Sequence, residues 1–427
     1  MAFSNERPDK KGKLNLRTEI VAGIIGYLTT VYIVVVNGSI LNEAGVSLEA
    51  GMIATILVSF LGTMLMGLYA GVPLILIPGM GINALFAYSI VEGTNLTFEE
   101  GLAVVLVAGL LFLLTAFSRM GILLKEAIPD SLKHGITVGL GFFLILIGLE
   151  KSGLVVNGQN TILAFGDFTS PTVLVSLLTL FLAIFLFVRN VPANFLVTMI
   201  AGTILASLFG VLENGSNALH VDPKEVIFFP SFSAIGDLSF WLAVFPLAII
   251  LIFENMGLLN GQLQMLDKEK AYDKAYKATA FSTVASAFLG TSPTVSAAEN
   301  AAVIASKGRA GIAAITAGLL FLATLFLIPF ITMIPNSALS PILIIVGFLM
   351  VQNIRHIRVS DLSESLPALL IVAMIPFSYS IADGMAFGFI AYPVVKIATG
   401  KPKELSVPLI IIAALFLFDF VMKIMGI

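Results

Sequence analysis

Long runs of apolar residues, separated by short polar stretches, recur along the whole chain. Many extend for about 17–25 residues, the length that a helix needs to cross a hydrocarbon core about 30 Å thick. The pattern therefore predicts an all-α polytopic membrane protein with about fourteen transmembrane segments. The predicted spans lie near residues 20–37, 51–70, 73–91, 101–118, 135–150, 171–188, 193–212, 238–256, 277–290, 292–306, 311–333, 338–354, 366–398 and 405–425.

The fourteen stretches divide into two sets of seven on either side of an acidic connection, residues 213–237. Because seven is odd, the second set enters the membrane with the opposite orientation, which is typical of inverted-topology repeats. The third stretch of each set is interrupted by glycine and proline. The interrupting residues are Pro73, Pro78, Gly79, Gly81, Gly290 and Pro293. The stretch 366–398 fits either one broken span or a hairpin of two short ones.

Basic residues predict the side of the membrane that each connection faces, since cytoplasmic loops carry an excess of Lys and Arg. The connections after the fourth, sixth, eighth, tenth and twelfth spans are basic, whereas those after odd-numbered spans are poor in Lys and Arg, apart from Lys151 and Lys224. The basic N-terminal segment is therefore expected in the cytoplasm. It also lacks the apolar core of a cleavable signal peptide, so the first span is expected to stay in the mature protein.

Composition narrows the chemistry. The chain has 427 residues, of which 58% are hydrophobic and 11% charged, and a mean hydropathy of +1.03. The net charge of −3 argues neither for nor against nucleic acid, because the 23 basic residues are scattered among short loops, and we expect no nucleic-acid partner. The absence of cysteine excludes disulfides and thiolate chemistry. His134, His220 and His356 lie at a span start or in connections without a plausible ligand partner, so we expect no metal site.

Two glutamates lie within apolar regions. Glu254 ends the run WLAVFPLAIILIFE, and Glu299 follows the interrupted segment LGTSPTVSAA. A carboxylate at mid-membrane depth costs about 2.5–3.5 kcal/mol on insertion scales, so such residues usually face an internal cavity. Burial penalises the charged form of Glu254, which makes it a candidate for binding and releasing a proton. The alternatives are that Glu254 snorkels from an early span end and that Glu299 only caps a helix.

The two interrupted stretches are the predicted site, because inverted-repeat transporters bind substrate near the midplane between discontinuous helices. The first stretch predicts a short extended piece and then a half-helix that begins near Asn83, with Gly81 permitting close backbone approach. In the second, Ala298 leaves room for a ligand beside Glu299. The alternative for both is a kink that serves helix packing.

These residues resemble the motifs of the nucleobase:cation symporter-2 family, also called the nucleobase–ascorbate transporter or xanthine/uracil permease family. PGMGINALFAY (residues 78–88) is similar to the third-span motif of its hypoxanthine/guanine/adenine permease branch. TSPTVSAAEN (residues 291–300) resembles the tenth-span motif, and FENMG (residues 253–257) falls where the eighth-span acidic residue belongs. The similarity extends from Leu16 to the last span.

The resemblance implies a core domain and a gate domain, with short strands in spans 3 and 10 that frame the substrate. The predicted division is a cytoplasmic segment (1–17), core segments (18–133 and 237–334) and gate segments (134–236 and 335–427). The family's eighth-span and tenth-span carboxylates correspond to Glu254 and Glu299, and its third-span asparagine to Asn83. The predicted substrate-binding residues are Gly81, Asn83, Glu254, Ala298, Glu299 and Asn300, with Glu254 also coupling protons.

The implied function is secondary transport rather than catalysis: import of a nucleobase, preferentially a purine, across the cell membrane. Coupling to protons is favoured over Na⁺, no cofactor is expected, and a homodimer is a further option. A planar base presents adjacent N–H and carbonyl groups that a carboxylate and backbone groups can match edge-on. We hypothesise that Glu254 binds the base and takes the coupling proton while Glu299 fixes the opposite edge.

Three alternatives stay open from the sequence. The Glu299–Asn300 pair is closer to the uracil and xanthine branches of the family, and Ala297–Ala298 replaces the tyrosine-containing pattern of the purine branch. An anion transporter of the related sulfate-permease architecture is disfavoured by two midplane carboxylates. An intramembrane enzyme needs a nucleophile–base pair or metal ligands at depth, and the apolar stretches contain no such set.

Overall fold

The computed structural model describes residues 15–94, 96–118, 128–158, 161–212 and 227–425. His220, Lys224, the basic residues before Asn15 and most of the acidic connection lie outside these ranges. The first half contains α1 (Leu16–Thr30), α2 (Ile33–Glu43), α3 (Leu48–Leu65), β1 (Leu76–Pro78), α4 (Met80–Ala84), α5 (Phe98–Phe117), α6 (Asp130–Lys151), β2 (Val155–Asn157), β3 (Leu163–Phe165), α7 (Pro171–Val188) and α8 (Asn194–Leu208).

The second half contains α9 (Leu238–Met265), α10 (Tyr272–Phe288), β4 (Thr294–Ser296), α11 (Asn300–Ala305), α12 (Gly311–Ala323), α13 (Ile328–Ile331), α14 (Asn336–Val351), α15 (Leu362–Ser378), α16 (Ile381–Ala398) and α17 (Val407–Met425). Wider π-helical turns continue α3 through Ala70 and α4 through Glu92.

The helices have the length and apolarity of membrane spans. Within the described ranges, nine helical segments of at least 18 residues are apolar enough to cross a bilayer, and four shorter apolar helices accompany them. On α7 the outward side chains of Phe181 and Phe185 are about three-fifths exposed, as suits a surface that faces lipid rather than water. The prediction of a polytopic helical membrane protein is confirmed.

The late stretch 366–398 is a hairpin of two helices. Helix α15 ends at Ser378, the next residue, Tyr379, has a left-handed backbone conformation, and the Ser380 side chain caps the start of α16. The two helices pack closely because α16 presents Gly384 and Gly388 to α15, where any Cβ would collide with it. Small residues at a helix interface permit this close approach within a membrane.

The two interrupted stretches meet in the interior as an antiparallel pair of short strands. Strand β1 pairs with β4, with Ile77 opposite Val295 at the centre. The Gly79 N–H donates to the Pro293 carbonyl at 3.2 Å, and the Ala297 N–H donates to the Ile75 carbonyl at 3.0 Å. The two bonds flank the strand pair on either side, and each joins one interrupted stretch to the other.

A threonine from a neighbouring helix supports each strand in the same way. Thr63 of α3 donates to the Leu76 carbonyl at 3.2 Å and accepts from the Leu76 N–H at 3.1 Å. Thr283 of α10 donates to the Thr294 carbonyl at 3.2 Å. Extended backbone is tolerated at membrane depth only where its polar groups are paired inside the protein, and these hydroxyls contribute that pairing.

Helix α6 packs along α14 and α15. Its contact with α14 is close enough that a Cβ on Gly141 would lie 2.6 Å from the Gly347 carbonyl oxygen. The division of the chain into core and gate domains stays a prediction.

Candidate functional site

A cavity of about 580 Å³ lies between the strand pair and helices α6, α9 and α14. Its volume is within the range of roughly 300–1,000 Å³ usual for small-molecule sites. The lining combines backbone of both interrupted stretches with apolar side chains such as Leu140 and Met350. Four predicted site residues line it: Gly81, Glu254, Ala298 and Glu299.

Glu254 projects into this cavity from the middle of a long helix. Helix α9 continues to Met265, so the span does not end at the glutamate. The side chain is partly exposed to the cavity, and no hydrogen-bond or ion-pair partner occurs for it among the residues that the structure describes. The nearby ammonium of Lys133 lies over the Phe253 ring at 4.6 Å and pairs with Asp130 at 2.9 Å.

Glu299 immediately precedes α11 but its side chain makes no capping hydrogen bond there. Instead, its Oε1 accepts a hydrogen bond from the Tyr32 hydroxyl. Tyr32 lies in the two-residue break between α1 and α2, is almost fully buried and lines the cavity. The two carboxyls therefore differ, because one is held by a phenol and the other is unpaired.

Tyr32 was not among the residues predicted from sequence. It stands in an apolar run, TTVYIVVVNG, where an aromatic residue is most simply explained by packing. The only signal was its hydroxyl, and the partner lies in the second repeat. A contact over that chain distance has no periodic signature.

One side of helix α9 presents Glu254 to the cavity, and another side holds β4 through hydrogen bonds. The Asn255 Oδ1 accepts the Ser296 N–H at 3.3 Å. About two helical turns further along, the Gln262 amide donates to the Ala297 carbonyl at 2.7 Å and accepts from the Ser296 hydroxyl at 2.6 Å. These bonds fix the backbone that leads into Ala298 and Glu299, so the position of the second carboxyl depends on α9.

Asn300 lies outside the cavity lining. Its Oδ1 accepts the Ile75 N–H at 2.9 Å, and its Nδ2 donates to the Ile75 carbonyl at 3.1 Å. The side-chain amide thereby satisfies both backbone groups of Ile75, the residue before β1, as the backbone of a neighbouring strand would. Both ends of this side chain are engaged by the framework, and a direct contact with substrate stays a prediction.

Asn83 also lies outside the lining. It sits on α4, is fully buried, and neither polar atom of its side chain has a partner within the described ranges. A buried amide without a partner is costly, so such a group usually has a functional or structural explanation. Its predicted role in binding stays a prediction.

At another end of the cavity, His134 of α6 contributes to the lining, and its ring centroid lies 5.0 Å from that of His356. The described residues contain no group of three or more His, Asp or Glu side chains arranged to hold a metal ion.

An inverted, strand-broken pair of spans that encloses two carboxyls is the arrangement found in membrane transporters of the inverted-repeat type. A family model described as "Permease family", the xanthine/uracil permease model, matches residues 17–386. The chain belongs to this family, whose fold and motifs the sequence resembles, and that prediction is confirmed.

Curated relatives share sequence over most of their length. The chain is 42% identical over 388 residues to the nucleobase transporter PlAzg2 of Paenibacillus larvae, covering 88% of this chain and 76% of the relative. It is 35% identical to the guanine/hypoxanthine permease PbuO of Bacillus subtilis (96% and 98% covered). It is also 35% identical to the adenine permease AdeP of Escherichia coli (95% and 93% covered).

Solved structures share the fold at low sequence identity. The transmembrane domain of the cyanobacterial bicarbonate transporter BicA superposes with a TM-score of 0.69 at 18% identity, covering 87% of this chain and 98% of that one. The murine Solute Carrier 26 family member A9 anion transporter, in its inward-facing state, gives a TM-score of 0.63 at 12% identity, covering 92% and 70%. These likenesses confirm the inverted-repeat membrane fold.

Proposed function

We propose that this nucleobase permease imports a purine base together with protons across the cell membrane. The observation that carries the proposal is that two different carboxyls line one cavity. The Glu254 carboxyl has no partner among the described residues, whereas the Glu299 carboxyl accepts a hydrogen bond from a phenol. Relatives named as guanine/hypoxanthine and adenine permeases favour a purine as the cargo.

The cavity offers the groups that the edge of a purine needs. Carboxylate oxygens of Glu254 and Glu299 accept hydrogen bonds from ring N–H groups. The first N–H groups of α4, at Met80 and Gly81, precede the helical hydrogen-bonding pattern and can donate to a ring nitrogen or a carbonyl oxygen. A base that fails to pair these groups leaves them buried and unsatisfied, and this is the source of discrimination.

Glu254 is the proposed site of proton coupling. An unpaired carboxylate within the membrane is costly while it is charged, and binding a proton removes that cost. A protonated carboxyl also changes from acceptor to donor, which alters how it pairs with the base. Binding of the proton would thus increase the affinity for the base, and binding of the base would increase the affinity for the proton. Na⁺ coupling is the less favoured version of the proposal.

Competition for uptake tests the cargo and the coupling together. Cells that produce the protein should accumulate radiolabelled hypoxanthine, with excess unlabelled guanine or adenine reducing uptake more than xanthine or uracil does. A protonophore should abolish accumulation, whereas replacing Na⁺ by K⁺ should not. Stronger competition by uracil or xanthine would show that the protein has the specificity of the uracil or xanthine branch instead. Hypoxanthine uptake that survives the protonophore but requires Na⁺ would overturn proton coupling.

Transport of an inorganic anion is the second candidate, because both structural neighbours named above carry anions by their titles. Two carboxyls in the cavity repel an anion unless both are protonated, and Lys133 already pairs with Asp130. Uptake of labelled sulfate or bicarbonate into the same cells should equal the background. A cytoplasmic N-terminus and a homodimer belong to the proposal as predictions.

A further inference from the structure

Among the described residues of the cavity lining, only Tyr32 both donates a hydrogen bond to a carboxyl of the site and packs its ring against α8. Its hydroxyl donates to Oε1 of Glu299. Its ring packs against Phe195 of α8, with ring centroids 4.7 Å apart and planes tilted by 60°. Glu299 belongs to the second interrupted stretch and Phe195 to a helix of the predicted gate domain, so one side chain connects the two.

The hydroxyl contact determines how Glu299 can meet a ligand. A hydrogen bond to a carboxylate is stronger than one between neutral groups. With Oε1 accepting from Tyr32, the carboxyl is held in one orientation and its other oxygen is left for the ring N–H of a base. Without the phenol, the carboxyl can rotate, and binding must then include the loss of that freedom.

The ring contact determines where the hydroxyl lies. Tyr32 lies at the junction of α1 and α2 and keeps helical backbone angles there, so its ring projects from a continuous helical span. Helix α1 contacts both α11, which follows Glu299, and α8. Aromatic pairs of this geometry add to the stability of their packing, so Phe195 favours the position of the ring in which the hydroxyl reaches Glu299.

We propose that Tyr32 is a positioning residue that sets substrate affinity through Glu299, and that Phe195 holds Tyr32 in place for this task. The inference rests on the proposed function and deepens it. A displacement of α8 relative to α1 removes the ring contact, frees Glu299 and weakens the hold on the base. Affinity thereby depends on the position of a helix that contributes no residue to the cavity lining.

Equilibrium binding of labelled hypoxanthine to the purified full-length protein tests this coupling. Tyr32→Phe removes only the hydroxyl and should weaken binding about 2- to 12-fold, because the freed Glu299 carboxyl must then be immobilised when the base binds. Phe195→Leu removes only the aromatic contact and should weaken binding about 2- to 10-fold. In the double variant, Phe195→Leu should add almost nothing, because the hydroxyl through which it acts is gone.

Tyr27→Phe is the matched control. Tyr27 lies on α1, its hydroxyl is 2.8 Å from the Thr324 hydroxyl, and its ring packs edge-on against Phe321. The control removes the same atom from a tyrosine that does not line the cavity, and its affinity should stay within about twofold of the parent. The melting temperature of each variant in detergent separates a loss of binding from a loss of folding.

Three outcomes decide the matter. Parent-like affinity in Tyr32→Phe would overturn the role of the hydroxyl. An equal effect of Phe195→Leu in the presence and absence of the hydroxyl would overturn the coupling to α8. A parent protein that binds none of the purines or pyrimidines would instead refute the proposed function, so the two failures are distinguishable.

Discussion

At the residue scale, the two glutamates of the cavity have opposite surroundings. The Tyr32 hydroxyl satisfies one oxygen of Glu299, whereas Glu254 has no partner among the described residues. A paired carboxylate can stay charged and serve as a fixed acceptor. An unpaired one gains most from taking up a proton or a ligand N–H. The geometry therefore favours Glu254 over Glu299 as the group whose protonation changes during transport.

Glu254→Gln should uncouple transport from protons. A gradient of one pH unit can drive about tenfold accumulation through one coupled proton. In proteoliposomes with that gradient, the parent should approach this ratio. Glu254→Gln should only equilibrate the base, since an amide does not take up and release a proton as a carboxyl does. Exchange of labelled for unlabelled base should persist. Glu99→Gln, the same change at an exposed carboxyl, is the control, and full accumulation by Glu254→Gln would refute the coupling role.

The two asparagines near the strand pair should respond differently to alanine. Asn300→Ala leaves the Ile75 N–H without a partner inside the membrane, while the Ile75 carbonyl keeps the Ala297 N–H, and should lower stability by about 1–3 kcal/mol. Asn83→Ala removes an amide that has no partner and should change stability by less than about 1 kcal/mol. Thermal unfolding in detergent measures both.

Hypoxanthine binding by the same variants tests the predicted role of Asn83. Weaker binding at unchanged stability would support a contact with substrate. Equal destabilisation by both variants would contradict the assignment of Asn300 to the framework.

At the scale of elements, the site depends on helices that hold short irregular segments. Helix α9 anchors β4 through Asn255 and Gln262, and Thr63 and Thr283 pair the strand backbones from α3 and α10. The strands themselves are only three residues long, too short to be stable alone. Their position is therefore a property of the surrounding helices.

The interface of α6 and α14 should be sensitive to a single methyl group. A Cβ on Gly141 would lie 2.6 Å from the Gly347 carbonyl oxygen, and backbone cannot move aside as a flexible side chain can. Gly141→Ala should therefore destabilise the protein by about 1–3 kcal/mol. Gly261→Ala on α9 is the matched control, because a Cβ there meets nothing within 4 Å. Melting temperatures in detergent compare them, and equal values would contradict the close packing.

At the scale of the whole molecule, the strand pair joins one interrupted stretch from each half of the chain. Residues 75 and 79 of the first stretch make the bonds that residues 293 and 297 make in the second. Two segments of opposite insertion thus meet at one place, and residues of both line the cavity. This arrangement permits access from either side around a single site.

The predicted orientation can be tested directly because the chain contains no cysteine. A cysteine at Glu269, in the connection between α9 and α10, should react with a membrane-impermeant thiol reagent only after the cells are permeabilised. A cysteine at Thr169, between α6 and α7, should react in intact cells. Both positions are exposed, so access to the reagent is limited by the membrane alone. The reverse pattern would place the N-terminus outside.

How far the sequence predicts this molecule depends on the range of each interaction. The apolar runs, the Gly and Pro interruptions and the glutamates at 254 and 299 are local features, and they were sufficient for the fold class and the family. The stretch 366–398 stayed ambiguous because the turn at Tyr379 and Ser380 is too short to interrupt the apolar pattern.

By itself, the sequence determined that this is an inverted-repeat membrane transporter with acidic groups at depth, because hydrophobic length and backbone-breaking residues act within a few turns of chain. The tertiary structure decided which groups face the cavity. It assigned Asn300 to the framework, left Asn83 unpaired, and brought Tyr32 to Glu299 and Phe195. These contacts join positions that are distant along the chain, and only the packing of the helices brings them together.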